Sequence, residues 1–219
     1  MGDKVAKAEL AMVEKLVPHL DSGKPASTLE VSAEERVVLD GLFLLSAKPS
    51  LFACNVREDD LANLDGDSPA AAFVRAVRDY ASTHLGCEAV VISAQIEAEL
   101  AELPPEEAKE FLQGLGVDDS GVGLLIRAAY HLLGLRTYLT TGPKETRAWT
   151  IRAGDKAPAA AGVIHSDFER GFIAAETIAF NDLVTLGTHA KAREAGKLRI
   201  EGKEYVVNDG DVIEFRFNV

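Results

Sequence analysis

Leu51-Phe52-Ala53-Cys54-Asn55-Val56 and Ala89-Val90-Val91-Ile92 are the two stretches that decide how the first half of this sequence folds. Both are apolar without alternation, as a strand covered on both faces would be. Between them Pro69 marks a helix start, with Phe73, Val77 and Tyr80 following at helical spacing. Strand, helix, strand at this distance predicts a βαβ unit with a right-handed parallel crossover, and so an α/β fold. One such unit is too small to complete an α/β domain.

Working outward toward the start, residues 3–17 place Ala6, Leu10, Val13 and Val17 on one helical stripe. Pro18 and Asp21-Ser22-Gly23-Lys24-Pro25 predict its stop. Ser32-Ala33-Glu34-Glu35 is a capping box, in which hydroxyl and carboxylate each meet an orphan amide. The helix after it presents Val38, Leu42 and Leu45 and is expected to end at Lys48-Pro49. Residues 1–50 thus read as an antiparallel helical pair. Beyond the second strand, 105–113 and 120–133 read as helices.

From Arg136 the period changes. Residues 136–140 and 146–151 flank Gly142-Pro143, a hairpin signal. Residues 157–162 predict a short helical turn and 173–180 a strand. Asp209-Gly210 then feeds a strand in which Ile213, Phe215, Phe217 and Val219 alternate with Val212, Glu214, Arg216 and Asn218. Residues 138–219 read as a compact mixed β domain with one or two helices.

At 219 residues, 47% apolar and 26% charged, the chain is large enough to bury a core without a disulfide or metal staple. It has no run of 18 apolar residues and no apolar leader after Met1, so neither a membrane span nor a secretory signal is expected. Cys54 and Cys87 form no C-x-x-C, and the expected setting is cytoplasmic. The net charge of −12 is uneven: residues 1–137 carry −11 and residues 138–219 carry −1. An acidic chain disfavours delocalised nucleic-acid binding and DNA specificity, and only the second part is placed to face RNA.

Ligands in open parallel sheets sit beyond the carboxyl ends of the strands. Asn55-Val56-Arg57-Glu58 leaves one such end and Ser93-Ala94-Gln95 the other. An Asn amide can donate to a purine N7 and accept from an N6 amine; the competing reading is that Asn55 and Glu58 merely turn the chain. Cys54, mid-strand, reads as a small buried residue before it reads as a redox switch. Lys191, Arg193, Lys197, Arg199 and Lys203 fall within 13 positions against Glu194 and Glu201. They are either a solvated face or a phosphate-facing patch for RNA. His165 reads as a structural hydrogen-bonder and Trp149 as core, and no Ser/His/Asp set has catalytic spacing.

The order Lys48-Pro49, Asn55-Val56-Arg57-Glu58, Ser93-Ala94-Gln95 and Tyr138-Leu139-Thr140-Thr141-Gly142 resembles the YchF family, Obg-related nucleoside triphosphatases of the translation-factor class. The resemblance continues through Arg147-Ala148-Trp149-Thr150-Ile151, the segment from His165 to Ile173, Asn208-Asp209-Gly210-Asp211 and Phe215-Arg216-Phe217-Asn218-Val219. It implies an α/β fold: a helical segment over 1–50, the C-terminal part of an OBG-type P-loop NTPase domain over 51–135, and a β-grasp TGS domain over 138–219. It further implies ATP or GTP with Mg²⁺ as ligand, hydrolysis in the complete protein, and association with the ribosome.

By the same resemblance Asn55, Val56, Arg57 and Glu58 stand at the base-reading Asn-x-x-Asp region of GTPases, with Ser93, Ala94 and Gln95 behind the base. Glu58 replaces Asp and Val56 replaces Lys. A longer carboxylate spoils the bidentate contact to guanine, which lowers the penalty against adenine. The phosphate loop G-x-x-x-x-G-K-[ST] is missing: Gly23-Lys24 precedes Pro25, Gly196-Lys197 precedes Leu198, and Gly202-Lys203 precedes Glu204. Asp118-x-x-Gly121 imitates a magnesium motif but follows the base-reading loop, so it reads as chance. No catalytic residue and no Mg²⁺ ligand is therefore assigned, and this chain alone is expected to be inactive. The alternative is a non-catalytic TGS-containing module that binds ribosome or RNA.

Overall fold

The computed structural model describes residues 4–64, 66–117, 119–142 and 145–218. Asp118, Pro143 and Val219, each part of a motif read above, lie outside the described residues. The chain divides into two units, Met1–Leu132 and Leu133–Val219.

The first unit opens with α1 (Lys4–Asp21) and α2 (Ala33–Gly41). The capping box forms in both directions: Ser32 Oγ accepts from the Glu35 amide at 3.2 Å, and Glu35 Oε2 accepts from the Ser32 amide at 3.0 Å. Met12 and Leu16 of α1 are buried with Ala26 and Leu39, which corrects the predicted stripe. Leu10, Val13 and Val17 remain exposed. Apolar residues on two faces of α1 made its phase ambiguous from periodicity alone. Pro18 does not stop α1 either. Pro18 lies inside the last turn of α1, which runs on to Asp21 before Gly23 takes φ 81°. Likewise α2 ends at Gly41 rather than at Lys48, because Phe43 adopts φ 53° and breaks the repeat. Leu45 is left exposed. His19 Nε2 lies 3.0 Å from both the Pro25 carbonyl and Thr28 Oγ1, and so ties down the connecting loop.

Next come β1 (Phe52–Asn55), α3 (Glu58–Leu61), α4 (Pro69–Tyr80) and β2 (Ala89–Ile92). β1 and β2 pair in parallel from Phe52↔Ala89 to Asn55↔Ile92, completing the βαβ unit. β1 is not covered on both faces as expected: Ala53 and Asn55 are exposed, while Phe52 and Cys54 are half-buried. α4 buries Ala71 and Val74 and leaves Phe73 exposed. Three helices complete the unit: α5 (Ala94–Leu100), α6 (Pro105–Gly114) and α7 (Gly121–Leu132). A Cβ on Gly121 would lie 2.9 Å from Ile92 Cα, so glycine is what lets α7 start against β2. The Gly121 amide donates to Glu97 Oε1 at 2.6 Å.

The second unit contains β3 (Leu135–Thr141), β4 (Thr146–Arg152), α8 (Ala157–Ile164), α9 (Ser166–Arg170), β5 (Phe172–Ala179), α10 (Phe180–Leu186), α11 (His189–Glu194), β6 (Arg199–Glu201) and β7 (Asp211–Phe217). Its four helices exceed the one or two expected, because helices of five to seven residues are too short to show a 3.6-residue period. The strands form one mixed sheet in the order β4-β3-β7-β5-β6. β7 is central, antiparallel to β5 and parallel to β3. Tyr138, Ile151, Phe172, Ala175, Val207 and Ile213 form the core with Ala157, Ala160 and Ala161 of α8. Three fully buried alanines bring α8 close enough for its Ala160 carbonyl to accept from Tyr138 Oη at 2.9 Å. Phe168 of α9 stacks on Phe217 at 3.8 Å between ring centroids. Gly171 follows because a side chain there would overlap the Asn218 backbone.

Candidate functional site

β1 and β2 end side by side, and this brings the two predicted loops together. Asn55 Oδ1 accepts a hydrogen bond from the Ala94 amide at 3.0 Å. The Val56 amide extends the pairing to the Ile92 carbonyl at 2.9 Å. Ala94 and Gln95 are not loop residues as expected but the first turn of α5, and both are exposed. Gln95 donates to Glu99 Oε1 at 3.3 Å. Ser93 turns inward: its side chain is buried, and its Oγ has no partner among the described residues.

Arg57 is exposed and lies 4.0 Å from Asp59. Glu58 is the first residue of α3. Asn55, Val56 and Arg57 line a cavity of about 370 Å³ whose opposite wall is Phe73, Val74 and Val77 of α4. One lone pair of Oδ1 is engaged by Ala94, which leaves its second lone pair and the Nδ2 donor for a ligand. Nothing here resembles a phosphate cradle. Among the described residues, no group of three or more His, Cys, Asp or Glu side chains is placed to hold a metal ion.

The basic segment does not form the uniform positive field that its spacing suggested. Arg193 pairs with the buried Glu176 at 2.9 Å, Lys197 lies 3.4 Å from Asp182, and Arg199 lies 3.3 Å from Asp211 and 3.4 Å from Glu201. Only Lys191 and Lys203 of the five make no ion pair among the described residues.

Sequence reasoning missed the network that commits Arg199. Asp211, nearly fully buried, accepts from Tyr205 Oη at 2.6 Å and from the Asn208 amide at 2.9 Å. Asn208 Nδ2 donates to Tyr205 Oη at 3.0 Å. Burial, and then the hydrogen bond to Asp211, push the Tyr205 hydroxyl above its ordinary value. Asp209 Oδ1 accepts from the Thr137 amide at 2.7 Å. Every polar member of Asn208-Asp209-Gly210-Asp211 is thus spent inside the fold. An Asn followed by two acids within three positions was the available signal.

A family model described as "YchF-GTPase_C: Protein of unknown function (DUF933)" matches residues 135–218. The chain is 50% identical over 217 residues to the "Ribosome-binding ATPase YchF" of Bacillus subtilis (strain 168), covering 99% of this chain and 58% of that protein. It is 48% identical over 218 residues to the protein of the same description from Escherichia coli O157:H7, covering 100% of this chain and 58% of that one. This chain belongs to the YchF family. It spans little more than half the length of the curated YchF relatives it matches. The structure of the Schizosaccharomyces pombe YchF GTPase superposes with a TM-score of 0.79 at 33% identity, covering 96% of this chain and 55% of that one. The mixed α/β fold therefore matches part of a YchF structure, and its five-stranded sheet is the TGS-like region. No helix among the described residues is long and apolar enough to cross a membrane.

Proposed function

We propose that this chain is the base-contacting and ribosome-associating portion of a cytoplasmic YchF-type nucleoside triphosphatase. Within it, residues 1–50 form the helical segment, 51–135 the C-terminal part of an OBG-type P-loop NTPase domain, and 138–219 a β-grasp TGS domain. The observation that carries this reading is the Asn55–Ala94 hydrogen bond, which joins two loops that the sequence separates by 39 residues. It fixes a side-chain donor at the rim of an apolar cavity, the combination that an aromatic base requires. Asn55, Val56 and Arg57 would meet the base, Ala94 and Gln95 would stand behind it, and Glu58 would bias the site toward ATP over GTP. Bound ATP·Mg²⁺ supplies a phosphoanhydride and the metal that polarises it; the residues here fit the base alone. Ribosome association rests on the relatives described as ribosome-binding.

The test is binding of a fluorescent adenine nucleotide to the whole chain, measured beside Asn55→Ala. Weak binding that Asn55→Ala abolishes, with no hydrolysis, is expected, because the phosphate contacts that dominate affinity are missing from this sequence. Turnover above a no-enzyme control that Glu58→Ala removes would contradict it. A second reading, favoured by the relatives described as ribosome-binding, is a non-catalytic TGS-containing module that binds ribosome or RNA.

A further inference from the structure

A cleft within the second unit lies inside its own sheet. β3 and β7 are seven residues each, yet they pair at a single position, Leu139↔Val212. Past that point the strands separate, and Thr140–Gly142 on one side and 213–215 on the other become walls of a cleft of about 650 Å³. Two strand edges therefore face an open space instead of each other, and an extended chain inserted there could take up their backbone groups.

The lining states what kind of chain. Three carboxylates, Glu145, Glu176 and Glu214, line the cleft with one guanidinium, Arg193. Arg193 and Arg216 both pair with Glu176, which leaves Glu145 and Glu214 without an ion pair among the described residues. Trp149, Phe168 and Phe215 are the aromatic rings of the lining, and His189 stands among the other lining residues. Trp149 is held by a hydrogen bond from its Nε1 to Thr140 Oγ1 at 2.9 Å, and it already carries the Arg147 guanidinium 4.2 Å from its ring centroid. Free carboxylates beside aromatic faces suit cationic side chains on an extended backbone. Phosphates would be repelled by the same groups. Of the residues that were to attract phosphate, Lys197 pairs with Asp182 and Arg199 with Asp211, while Arg193 is held at Glu176 in the cleft itself.

We propose that the cleft between β3 and β7 receives an extended, Arg/Lys-bearing peptide segment of a partner protein. This rests on the ribosome-associating reading above and deepens it: the contact is made to a basic protein segment, not to RNA.

The probe is a fluorescent nine-residue peptide alternating Arg with Thr, titrated into the whole chain by anisotropy, with a single-stranded RNA of nine nucleotides in parallel. Peptide binding should fall about tenfold in Glu145→Gln/Glu214→Gln. It should be unchanged in Lys191→Ala/Lys203→Ala, and the RNA should bind more weakly than the peptide. Amide-exchange protection on adding peptide should concentrate at Thr140–Gly142 and 213–215. Equal peptide affinity in the double Gln variant, protection elsewhere, or tighter binding of RNA overturns the proposal.

Co-sedimentation with ribosomes separates it from the reading beneath it. Sedimentation of the wild type that the double Gln variant matches refutes the cleft as the contact while ribosome association stands. Peptide binding at the cleft with no sedimentation sustains the cleft and removes ribosome association.

Discussion

Each unit contains one parallel strand pair, and the two pairs are built in opposite ways. β1 and β2 match at four consecutive positions, yet among the described residues no third strand joins them and β1 keeps every second residue exposed. β3 and β7 match at one position, yet each has an antiparallel partner on its other side and a common core beneath. Register length is therefore a poor guide to what holds a sheet. Burial of side chains on a shared face stabilises the second unit, while the first depends on small helix contacts such as Met12 and Leu16 against Leu39.

The largest test of this contrast compares ring deletions in the two pairs. Tyr138→Ala removes a fully buried ring and its bond to Ala160 and should cost about 3–5 kcal/mol. Phe52→Ala, at a half-buried edge-on contact with Tyr80, should cost about 1–2 kcal/mol. Trp149, the only tryptophan, reports the second unit in a denaturant titration, and circular dichroism reports both. Equal costs would break the comparison.

Asp211→Ala should destabilise the second unit by about 2–3 kcal/mol, since Tyr205, Arg199 and the Asn208 amide lose one acceptor together. Asp211→Asn should recover part of that loss. The same denaturation curves measure both. Gly121→Ala asks whether the first unit has any comparably tight point. Forcing α7 off Ile92 should cost about 1–3 kcal/mol, seen by circular dichroism with the Trp149 signal unmoved.

Alkaline titration gives a smaller effect with a defined sign. Burial raises both Tyr138 and Tyr205 above the ordinary tyrosine value near 10. The neutral forms stabilise the fold fully below that value, and the contribution is lost as pH rises beyond it, because the unfolded chain ionises first. The Trp149 transition should therefore fall above about pH 10, and it should do so less in Tyr205→Phe. The smallest effect belongs to the first unit. Glu35, lowered by its bonds from Lys15 and the Ser32 amide, supports α2 above the ordinary Glu value and ceases to do so as pH falls through its own. Glu35→Gln should change helix content slightly at neutral pH and remove that acid dependence.

What could be read from the sequence was local. The Ser32 capping box, the Pro69 helix start, the 136–151 hairpin and the alternation of the last strand depend on neighbours within a few positions. The two base-side loops were also legible, as adjacent strand ends. The state of the basic segment was not. Arg193, Lys197 and Arg199 pair with Glu176, Asp182 and Asp211, which lie 12 to 17 positions away on other elements. Nor was the cleft, since the divergence of β3 from β7 is a relation between strands more than 70 residues apart. Ser93 had the right neighbours and the wrong orientation.

The central place of β7 also sets an order of events. The β3–β4 hairpin can form as soon as its residues exist, and β5 pairs with β6 nearby, but these two halves meet only through a seven-residue strand that begins 76 positions beyond Leu135. At about 5–20 residues per second of synthesis, the halves wait several seconds with their apolar faces uncovered. High-separation pairing of this kind is slow to close. A chaperone or the tunnel exit would therefore meet an unjoined sheet, and pulse-labelled chains truncated before Asp211 should remain open to protease while full-length chains do not.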